Sequence, residues 1–368
     1  MKTILFITAF VPSKISAAEN YTRQLIFDLA KTNHIDLIYF KYKKDLDFEM
    51  ESLNINVVKI FKNSKILKLI NFIFYPVLFP LFSVRFNYFR LFIIKRLIKR
   101  KTYDLVFYDH SQVLLFSKFI NNVPQIYMLH DVETQRISRI SNKIITKWCE
   151  LTEKWILNSK ASIFCFSDKD KFLINNLFGL NSIVTNFYLE ENIYKSTPNL
   201  ASDYFVLFAR WGRKDNLNGL KWFIRYVLPN LNKDINIKII GAEICQNEYK
   251  SVVNYANIII LGFVDNPYPI IANAKAMISP LFTGAGVKVK VIDSLACGTP
   301  VIGTNISFEG ISLLFSKYLF EANDVKSFTK QINEYKINIK QKIELKEMFI
   351  STYEINSIPK FIKMEKYK

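Results

Sequence analysis

The chain has 368 residues, of which 50% are hydrophobic and 15% aromatic, and its formal net charge is +18. This composition excludes an intrinsically disordered chain, and the length suits two domains better than one. The segment between Glu51 and Asp104 contains no acidic residue and eleven lysines and arginines. Such a local excess of positive charge is typical of surfaces that bind nucleic acid, anionic membranes or phosphorylated ligands.

The cysteines and the N-terminus indicate the compartment. Cys149, Cys165, Cys245 and Cys297 are far apart and form no Cys-x-x-Cys pair, which predicts reduced thiols. The first apolar run is too short for a signal peptide, and we interpret it as a buried strand. We therefore expect a cytoplasmic protein.

Short β-branched runs alternate with helical patterns along the first half of the chain. We predict strands near 3–9, 35–40, 55–60, 104–108, 125–129 and 162–166, and helices near 19–31, 86–100, 111–119, 141–158 and 168–177. This alternation predicts a parallel sheet with helical crossovers.

The second half repeats the alternation. We predict strands near 204–209, 236–240, 258–261, 275–279, 300–303 and 318–320, and helices near 217–230, 267–274, 286–297 and 324–338. Two such series predict an α/β protein of two doubly wound domains. The polar segment 186–202, which contains Pro198, is the expected break between them.

The stretch GAGVKVKVID, which begins at Gly284, indicates an anion site. Glycines such as Gly284 and Gly286 permit close backbone approach, and the free N–H groups at the start of a helix attract anions. Helical spacing puts Lys290 and Asp293 on one face, where they could bind a phosphate and a ribose diol. The alternative is a solvated helix face with an ion pair between these two side chains.

Further stretches extend this pattern over most of the chain. They are LGFVDN (261–266), ISPLFTGAGVKVKVIDSLACGTPVIGT (278–304), FEGI (308–311), PQIYMLHDVETQRISR (124–139), ASIFCFSDKD (161–170) and IVTNF (183–187). With these motifs, the chain resembles the group 1 (family 4) retaining glycosyltransferases of the GT-B fold. The resemblance implies two Rossmann-like doubly wound domains facing a central cleft. It also implies an acceptor-binding domain over 1–188, a nucleotide-sugar-binding domain over 189–345, and C-terminal helices over 346–368 that pack back on the first domain.

The resemblance also implies a donor site in the second domain. The implied roles are base contact by the main chain of Gly262, Phe263 and Val264, ribose binding by Asp293, and diphosphate binding by Arg210, Arg213, Lys290 and the segment Gly284, Ala285, Gly286 and Val287. Two positions depart from the family pattern. Ala285 stands where the family often has a glutamate, and Asn216 stands where it usually has a lysine.

In the first domain, the resemblance assigns His130 to the active-site histidine, so that the expected catalytic residues are His130, Arg210 and Lys290. His110 follows a predicted strand end, and we interpret it either as acceptor-binding or as a structural loop residue. The small residues Ser16, Ala17 and Ala18 follow the first predicted strand, where they could approach an acceptor or form an ordinary loop.

No cofactor or metal is expected. The sequence Asp-Lys-Asp at 168–170 imitates a metal-binding motif, but Ser167 and Asp168 are better explained as a helix start. Lysines and arginines already supply the positive charge that a diphosphate needs.

The segment 62–101 combines aromatic, apolar and basic residues and is interrupted by Pro76 and Pro80. We favour a segment that lies in a membrane interface, since prolines and flanking cations suit that position. A crossover packed on the first sheet and a membrane-spanning segment are the alternatives. Nucleic acid is not expected as a partner, because no nucleic-acid-binding module is recognised.

Taken together, these features predict a cytoplasmic glycosyltransferase, peripheral at the inner face of the membrane, that moves a sugar from a nucleotide-sugar to a lipid-linked or glycan acceptor with retention. The resemblance implies a role in bacterial surface polysaccharide synthesis. The alternatives are a UDP-sugar epimerase of the same fold and a non-catalytic assembly subunit that binds a nucleotide-sugar.

Overall fold

The computed structural model describes residues 1–14, 16–43, 45–49, 52–159, 161–200, 203–244, 250, 255, 257–353 and 356–364, without the side chains of residues 65, 67, 68 and 72. The chain forms two compact units. One contains residues 1–188 and 355–368, and the other contains residues 189–354. Each unit has a parallel sheet with flanking helices, which confirms the predicted α/β class.

The first unit has a seven-stranded sheet in the order β3-β2-β1-β4-β5-β6-β7. Its strands are β1 (Thr3–Thr8), β2 (His34–Lys41), β3 (Ile55–Lys62), β4 (Leu105–Asp109), β5 (Gln125–Met128), β6 (Ser162–Cys165) and β7 (Ile183–Val184). The order reverses between β1 and β4, which is the position where open parallel sheets bind ligands. The central strands are fully buried and rich in Ile, Leu, Val and Phe, as a sheet covered on both faces requires.

The helices of the first unit connect these strands. They are α1 (Ala17–Ala30), α2 (Lys65–Phe74), α3 (Pro80–Ser83), α4 (Tyr88–Arg100), α5 (Glu133–Ser138), α6 (Lys143–Leu157) and α7 (Asp168–Phe178), with a 3₁₀ helix over Ser111–Phe119. The hydroxyl of Ser167 accepts a hydrogen bond from the backbone N–H of Asp170, so Ser167 caps α7 as the sequence predicted.

The second unit repeats the architecture with the strand order β10-β9-β8-β11-β12-β13. Its strands are β8 (Phe205–Phe208), β9 (Ile237–Ile240), β10 (Ile258–Gly262), β11 (Met277–Ser279), β12 (Val301–Gly303) and β13 (Leu319–Glu321). The order again reverses next to the first strand, between β8 and β11. Residues of β8, β9, β11 and β12 form a continuous apolar core with the helices that flank them.

The helices that follow in the chain are α8 (Glu191–Lys195), α9 (Lys214–Trp222), α10 (Tyr268–Asn273), α11 (Val289–Ala296), α12 (Val325–Glu334), α13 (Ile339–Thr352) and α14 (Ile358–Met364). Helix α9 continues through a π-helical turn over Phe223–Val227 and a 3₁₀ turn over Leu228–Asn230.

The C-terminal segment is divided between the two units. Helix α13 packs in the second unit, where the buried ammonium of Lys342 donates to the hydroxyl of Thr299 at 3.1 Å. Helix α14 packs in the first unit, where the ring of Phe361 lies 5.2 Å from that of Phe164. The second compact unit therefore extends beyond the predicted limit at residue 345.

The segment 62–101 is partly packed and partly exposed. Phe82, Phe86, Leu91 and Ile94 belong to the core of the first unit. A second set of apolar side chains faces outward, and these are Ile66, Leu69, Ile70, Ile73, Phe74, Val77, Phe89 and Phe92. Over the described residues, no helix is both long and apolar enough to cross a membrane.

Two of the basic residues in this segment are buried, which sequence alone did not indicate. Arg85 donates to the carbonyl of Ala9 at 3.3 Å, and Arg90 donates to the carbonyls of Arg85 and Lys62, each at 2.8 Å. Their guanidinium groups also lie over the ring of Phe40. These two arginines stabilise the packing of the segment on the sheet.

Of the four cysteines, Cys149, Cys165 and Cys297 are buried free thiols, as predicted. Cys245 lies outside the described residues.

Candidate functional site

The first cluster of candidate residues lies at the carboxyl edge of the second sheet. The ends of β8 and β11 lead into the two loops that carry the predicted donor residues, Arg210 and Gly284–Lys290. Helix α9 lies directly on this edge, because a Cβ atom on Gly219 would come within 2.0 Å of the carbonyl oxygen of Pro280. A glycine at this position therefore allows the two loops to come together.

A chain of hydrogen bonds joins these loops. The ammonium of Lys290 donates to the side-chain oxygen of Asn216 at 3.2 Å, and the amide nitrogen of Asn216 donates to the carbonyl of Arg210 at 2.9 Å. Burial and repulsion from Lys288 and Arg213 lower the pKa of Lys290 to about 7. A partly buried cation surrounded by other cations is stabilised by a bound anion.

Helix α11 begins three residues later than predicted, at Val289 instead of Gly286. Gly284 and Gly286 have φ angles of 111° and 65°, which a right-handed helix cannot contain. Lys288 is the N-cap residue, and its ammonium folds back to the carbonyls of Ala285 and Gly286 at 3.0 and 2.6 Å. The carbonyls of the loop therefore bind Lys288, while Lys290 points towards Asn216.

Asp293 lies on the same helix, one turn after Lys290, as predicted. Burial and the negative charge of Glu190 raise its pKa to about 8. Glu190 is the N-cap residue of α8, a helix that contacts α11. A carboxyl group with this pKa is largely protonated at neutral pH and can either donate or accept a hydrogen bond with a hydroxyl.

The predicted base-binding residues follow β10. Gly262 ends the strand with a φ of 68°, and its carbonyl accepts a hydrogen bond from the N–H of Gly241 at 2.7 Å. The side chain of Phe263 is exposed, and Val264 is partly buried. The backbone of this turn is accessible at the carboxyl edge of the sheet.

An acidic residue that the sequence did not predict, Glu243, forms an ion pair with the guanidinium group of Arg210. Their two contacts are 3.0 Å from Nε to Oε2 and 2.6 Å from an Nη to Oε1. A second acid nearby, Asp215, accepts a hydrogen bond from the hydroxyl of Thr283 at 2.6 Å. Glu243 lies three residues after the end of β9, and an acid so close to a strand end is the sequence signal that could have indicated it.

The second cluster lies in the first unit, at the ends of β4 and β5. Asp109 is completely buried, and one of its oxygens lies 2.8 Å from Nε2 of His130. Its other oxygen accepts hydrogen bonds from the hydroxyls of Thr8 and Thr22 at 2.9 and 2.7 Å. Burial alone would raise the pKa of Asp109, but His110, His130 and these hydrogen bonds lower it to about 2.

His110 stacks on His130, with ring centroids 3.8 Å apart and an interplanar angle of 19°. It is buried and has a φ of 72°, which is uncommon for a residue other than glycine. Burial lowers its pKa to about 3, so the ring is neutral. In the described residues, Asp109, His110 and His130 form the one group whose ligand atoms could surround a metal ion. The nearly parallel rings cannot both direct in-plane lone pairs at one ion, so this arrangement suits a stacked pair better.

A buried carboxylate holds the helix that follows His130. Glu153 of α6 accepts hydrogen bonds from the N–H groups of Glu133 and Thr134 at 3.0 and 2.8 Å, and from the hydroxyl of Thr134 at 2.6 Å. It therefore caps α5, which begins three residues after His130. The pKa of Glu133 is raised to about 8 by burial, while Arg136 lies 2.7 Å away.

The predicted acceptor residues form a helix start. Ser16 is the N-cap of α1 and accepts a hydrogen bond from the N–H of Glu19, while Ala17 and Ala18 form its first turn. The helix thus begins two residues earlier than predicted. Thr22, on the same helix, connects this region to Asp109.

The structure thus brings Arg210, Lys290 and the 284–287 loop to one edge of the second sheet, and His110 and His130 to one edge of the first. The contact of Asp109 with His130 depends on the register of β4 with β5, which sequence does not give.

Comparisons with known proteins agree with this architecture. Residues 203–336 match the profile of the family described as Glycosyl transferases group 1. An uncharacterized 44.6 kDa protein in the cps region of Klebsiella pneumoniae is 31% identical over 135 residues, which are 34% of this chain and 35% of that protein. The chain therefore matches about a third of the length of this relative.

Several solved structures resemble the whole chain. Sucrose-phosphate synthase from Thermosynechococcus elongatus has a TM-score of 0.72 at 13% identity, covering 96% of this chain and 95% of its own. HepE from Anabaena, solved in complex with UDP, has a TM-score of 0.69 at 13% identity and covers 99% and 98%. WaaG, a glycosyltransferase involved in lipopolysaccharide biosynthesis, has a TM-score of 0.67 at 10% identity and covers 97% and 98%. At these identities the likeness shows the fold, and it confirms the GT-B class.

Proposed function

Because residues 203–336 belong to the group 1 glycosyl transferases, we propose that the chain transfers a sugar from a nucleotide-sugar donor to an acceptor hydroxyl. The observation that carries this proposal is the hydrogen-bonded series from Lys290 through Asn216 to Arg210 at the carboxyl edge of the second sheet. These cations lie beside the glycine-rich loop and the start of α11, where a diphosphate would be bound.

In the proposed reaction, negative charge develops on the diphosphate as the sugar–oxygen bond breaks. Lys290, Arg210 and the N–H groups of the 284–287 loop would stabilise this charge. Because these groups are oriented before the reaction, the stabilisation would need no reorganisation. Asp293 would bind the ribose hydroxyls, and the turn at Gly262–Val264 would bind the base. The diphosphate oxygen would accept the proton of the acceptor hydroxyl on the same face of the sugar, which gives retention.

His130 is the proposed catalytic residue of the first unit, where it would contact the donor sugar or the acceptor. Asp109 accepts a hydrogen bond at one ring nitrogen and so fixes the tautomer and orientation of the imidazole. Ser16, Ala17, Ala18 and His110 are the proposed acceptor-side residues. Neither a cofactor nor a metal ion is part of the proposed mechanism.

We also propose that the acceptor is linked to a lipid or glycan at an anionic membrane surface. The helix α4 exposes Lys95, Arg96, Lys99 and Arg100 next to Phe92. A groove of about 330 Å³ runs between these cations and β3, and it is lined by Lys59, Phe89, Phe92, Ile93, Arg96, Leu97 and Arg100. Cations beside exposed aromatic rings suit phosphorylated lipid headgroups.

Helix α6 contacts the stretch 77–79 of the same segment, which the sequence did not indicate. The indole N–H of Trp148 donates to the carbonyl of Val77, and the hydroxyl of Thr152 accepts from the N–H of Phe79 at 3.0 Å. Ile144 and Leu151 on the same helix are exposed, with 81% and 56% of their surface accessible. An apolar surface of this extent, bordered by cations, supports contact with a lipid surface.

The direct test is a donor screen with the purified full chain. UDP-, GDP- and dTDP-sugars are incubated with the protein, and release of the nucleoside diphosphate is measured with and without membrane extracts. We expect one base to be preferred and Lys290→Ala to lower turnover by about 100-fold or more. Binding of a nucleoside diphosphate without turnover of any donor would instead favour a non-catalytic subunit.

A further inference from the structure

The pair Arg210–Glu243 connects two neighbouring strand ends of the second unit. Arg210 follows β8 and Glu243 follows β9, and these strands are adjacent and parallel. The carboxylate contacts the guanidinium at Nε (3.0 Å) and at one Nη (2.6 Å), which is the two-point geometry of a fork. The side chains are 38% and 46% exposed, so both can be reached from solvent.

The backbone is adapted to this contact at two places. Glu243 has a φ of 64°, a conformation that is unfavourable for a residue with a side chain. A Cβ atom on residue 212 would lie 2.0 Å from Oε2 of Glu243, so a larger residue there would push the carboxylate aside. Backbone strain of this kind persists where the surroundings hold it, and it is frequent at ligand-binding positions.

A carboxylate in a fork with arginine presents two negatively charged oxygens in an arrangement similar to that of two phosphate oxygens. Glu243 therefore contacts the same N–H groups of Arg210 that a diphosphate would need. In the same unit, Lys288 and Arg213 both repel Lys290, and the acid that offsets this repulsion is Asp215.

We propose that Glu243 is an internal substitute for the donor diphosphate. Its carboxylate holds Arg210 in the empty site and is displaced when a nucleoside diphosphate binds. This inference rests on the proposed function, because it assigns Arg210 to the diphosphate. It predicts that Glu243 weakens nucleotide binding, which is the opposite of what a donor-binding residue would do.

The test is calorimetric titration of the full chain and its variants with UDP and GDP at low salt. Glu243→Gln removes the charge and keeps the size, while Glu243→Gly also relieves the positive φ and is expected to fold at least as stably. For a half-exposed ion pair, the expected result is roughly twofold to fivefold tighter binding in both variants. The gain should shrink in 1 M NaCl, where such pairs are screened.

Glu344→Gln is the matched control. Glu344 is 53% exposed and pairs with Lys317 at 2.6 Å in the same unit, so its removal changes the net charge equally. We expect unchanged nucleotide affinity for this variant.

The possible failures are distinct. If the wild type binds UDP or GDP and both Glu243 variants bind equally or more weakly, the carboxylate orients Arg210 and our inference is wrong. If neither the wild type nor any variant binds a nucleoside diphosphate, the proposed function fails together with the inference.

Discussion

Lys290 reaches across to α9, where its ammonium donates to the side-chain oxygen of Asn216 at 3.2 Å. The family pattern places a lysine at position 216, where this chain has an asparagine. The asparagine accepts a hydrogen bond from Lys290, the lysine that is present. Because Asn216 also donates to the backbone carbonyl of Arg210, one amide connects the ammonium of Lys290 to the main chain at Arg210.

Lys290→Ala should lower kcat/KM for the donor by about 100-fold or more, the usual effect of removing one group that stabilises developing charge. Asn216→Ala should lower it less, by roughly tenfold, because the lysine remains but is no longer oriented. Steady-state kinetics measures both, and circular dichroism should show unchanged folding. Equal rates for Lys290→Ala and the wild type would remove Lys290 from the diphosphate site.

Nucleotide binding should take up a proton above neutral pH. Burial and neighbouring cations lower the pKa of Lys290 to about 7 in the empty site, so this lysine is mostly neutral at pH 8. A bound diphosphate favours the charged form and raises that pKa. Calorimetry at pH 8 in buffers with different ionisation enthalpies should show proton uptake, and Lys290→Arg should show less of it because arginine stays charged.

Asp293 should destabilise the folded protein at alkaline pH. Its folded pKa of about 8 lies above its model-peptide value of 3.8, because burial and Glu190 disfavour the charge. A raised acid pKa means that folding opposes ionisation. The resulting loss in the free energy of unfolding grows as pH rises from about 4 to about 8 and is constant above that. Asp293→Asn should therefore unfold at higher denaturant than the wild type at pH 9 but not at pH 4.

At pH 9 the same variant should also bind UDP more weakly, since an ionised carboxylate accepts hydrogen bonds from the ribose hydroxyls more strongly than a neutral amide does. Asp234→Asn, an exposed position in the same unit, is the control and should change neither property. A stability difference that did not depend on pH would contradict the assignment of the raised pKa to Asp293.

Much of the fold could be predicted from the sequence, because buried parallel strands are short runs of β-branched and aromatic residues with a recognisable period. The twelve predicted strands all occur, whereas the two-residue strand β7 is too short to leave a pattern. The late start of α11 could not be predicted, since the positive φ angles of Gly284 and Gly286 follow from the loop that they form.

The candidate site was less predictable where it depends on contacts between strands. Lys290 was predicted from the helix start after a glycine-rich stretch, and Arg210 from the resemblance to a known family. The fork with Glu243 and the two-sided contact of Asp109 require the parallel register of β8 with β9 and of β4 with β5. The burial of Arg85 and Arg90 was also missed, since composition does not distinguish a basic surface from arginines that bind carbonyl groups.

Asp109 should stabilise the fold at neutral pH and lose this effect in acid. Its pKa is lowered to about 2, against 3.8 for the unperturbed group, so its contribution is complete above about pH 4 and is lost as pH falls through about 2. Asp109→Asn should lower the free energy of unfolding by about 2 kcal/mol or more at pH 7, because His130, Thr8 and Thr22 lose a charged acceptor. Urea unfolding of the wild type and of Asp109→Asn should be measured from pH 2 to pH 7. The difference between their free energies of unfolding should become smaller below pH 4.

Glu153→Gln should reduce turnover without a comparable loss of donor binding. Burial raises the pKa of Glu153 to about 7, so at pH 8 its carboxylate is mostly ionised. It caps α5 through three hydrogen bonds, and a neutral amide cannot accept them as strongly. Since α5 begins just after His130, a loosened cap should displace the imidazole. We expect kcat to fall several-fold with KM for the donor nearly unchanged. A fall in nucleotide affinity of the same size would indicate general unfolding instead.

The basic face of α4 should determine binding to anionic lipid. Replacing Lys95, Arg96, Lys99 and Arg100 by glutamine removes four exposed charges at about 1 kcal/mol each near an anionic surface. Cosedimentation with vesicles containing phosphatidylglycerol should then fall by about 100-fold or more in affinity, while binding to pure phosphatidylcholine should stay weak. Replacing Lys326, Lys330, Lys336 and Lys340, which are equally exposed in the second unit, should cost much less. Equal losses of vesicle affinity in both quadruple variants would show that net charge alone drives the association. No loss of affinity in the α4 variant would show that α4 only packs on the sheet.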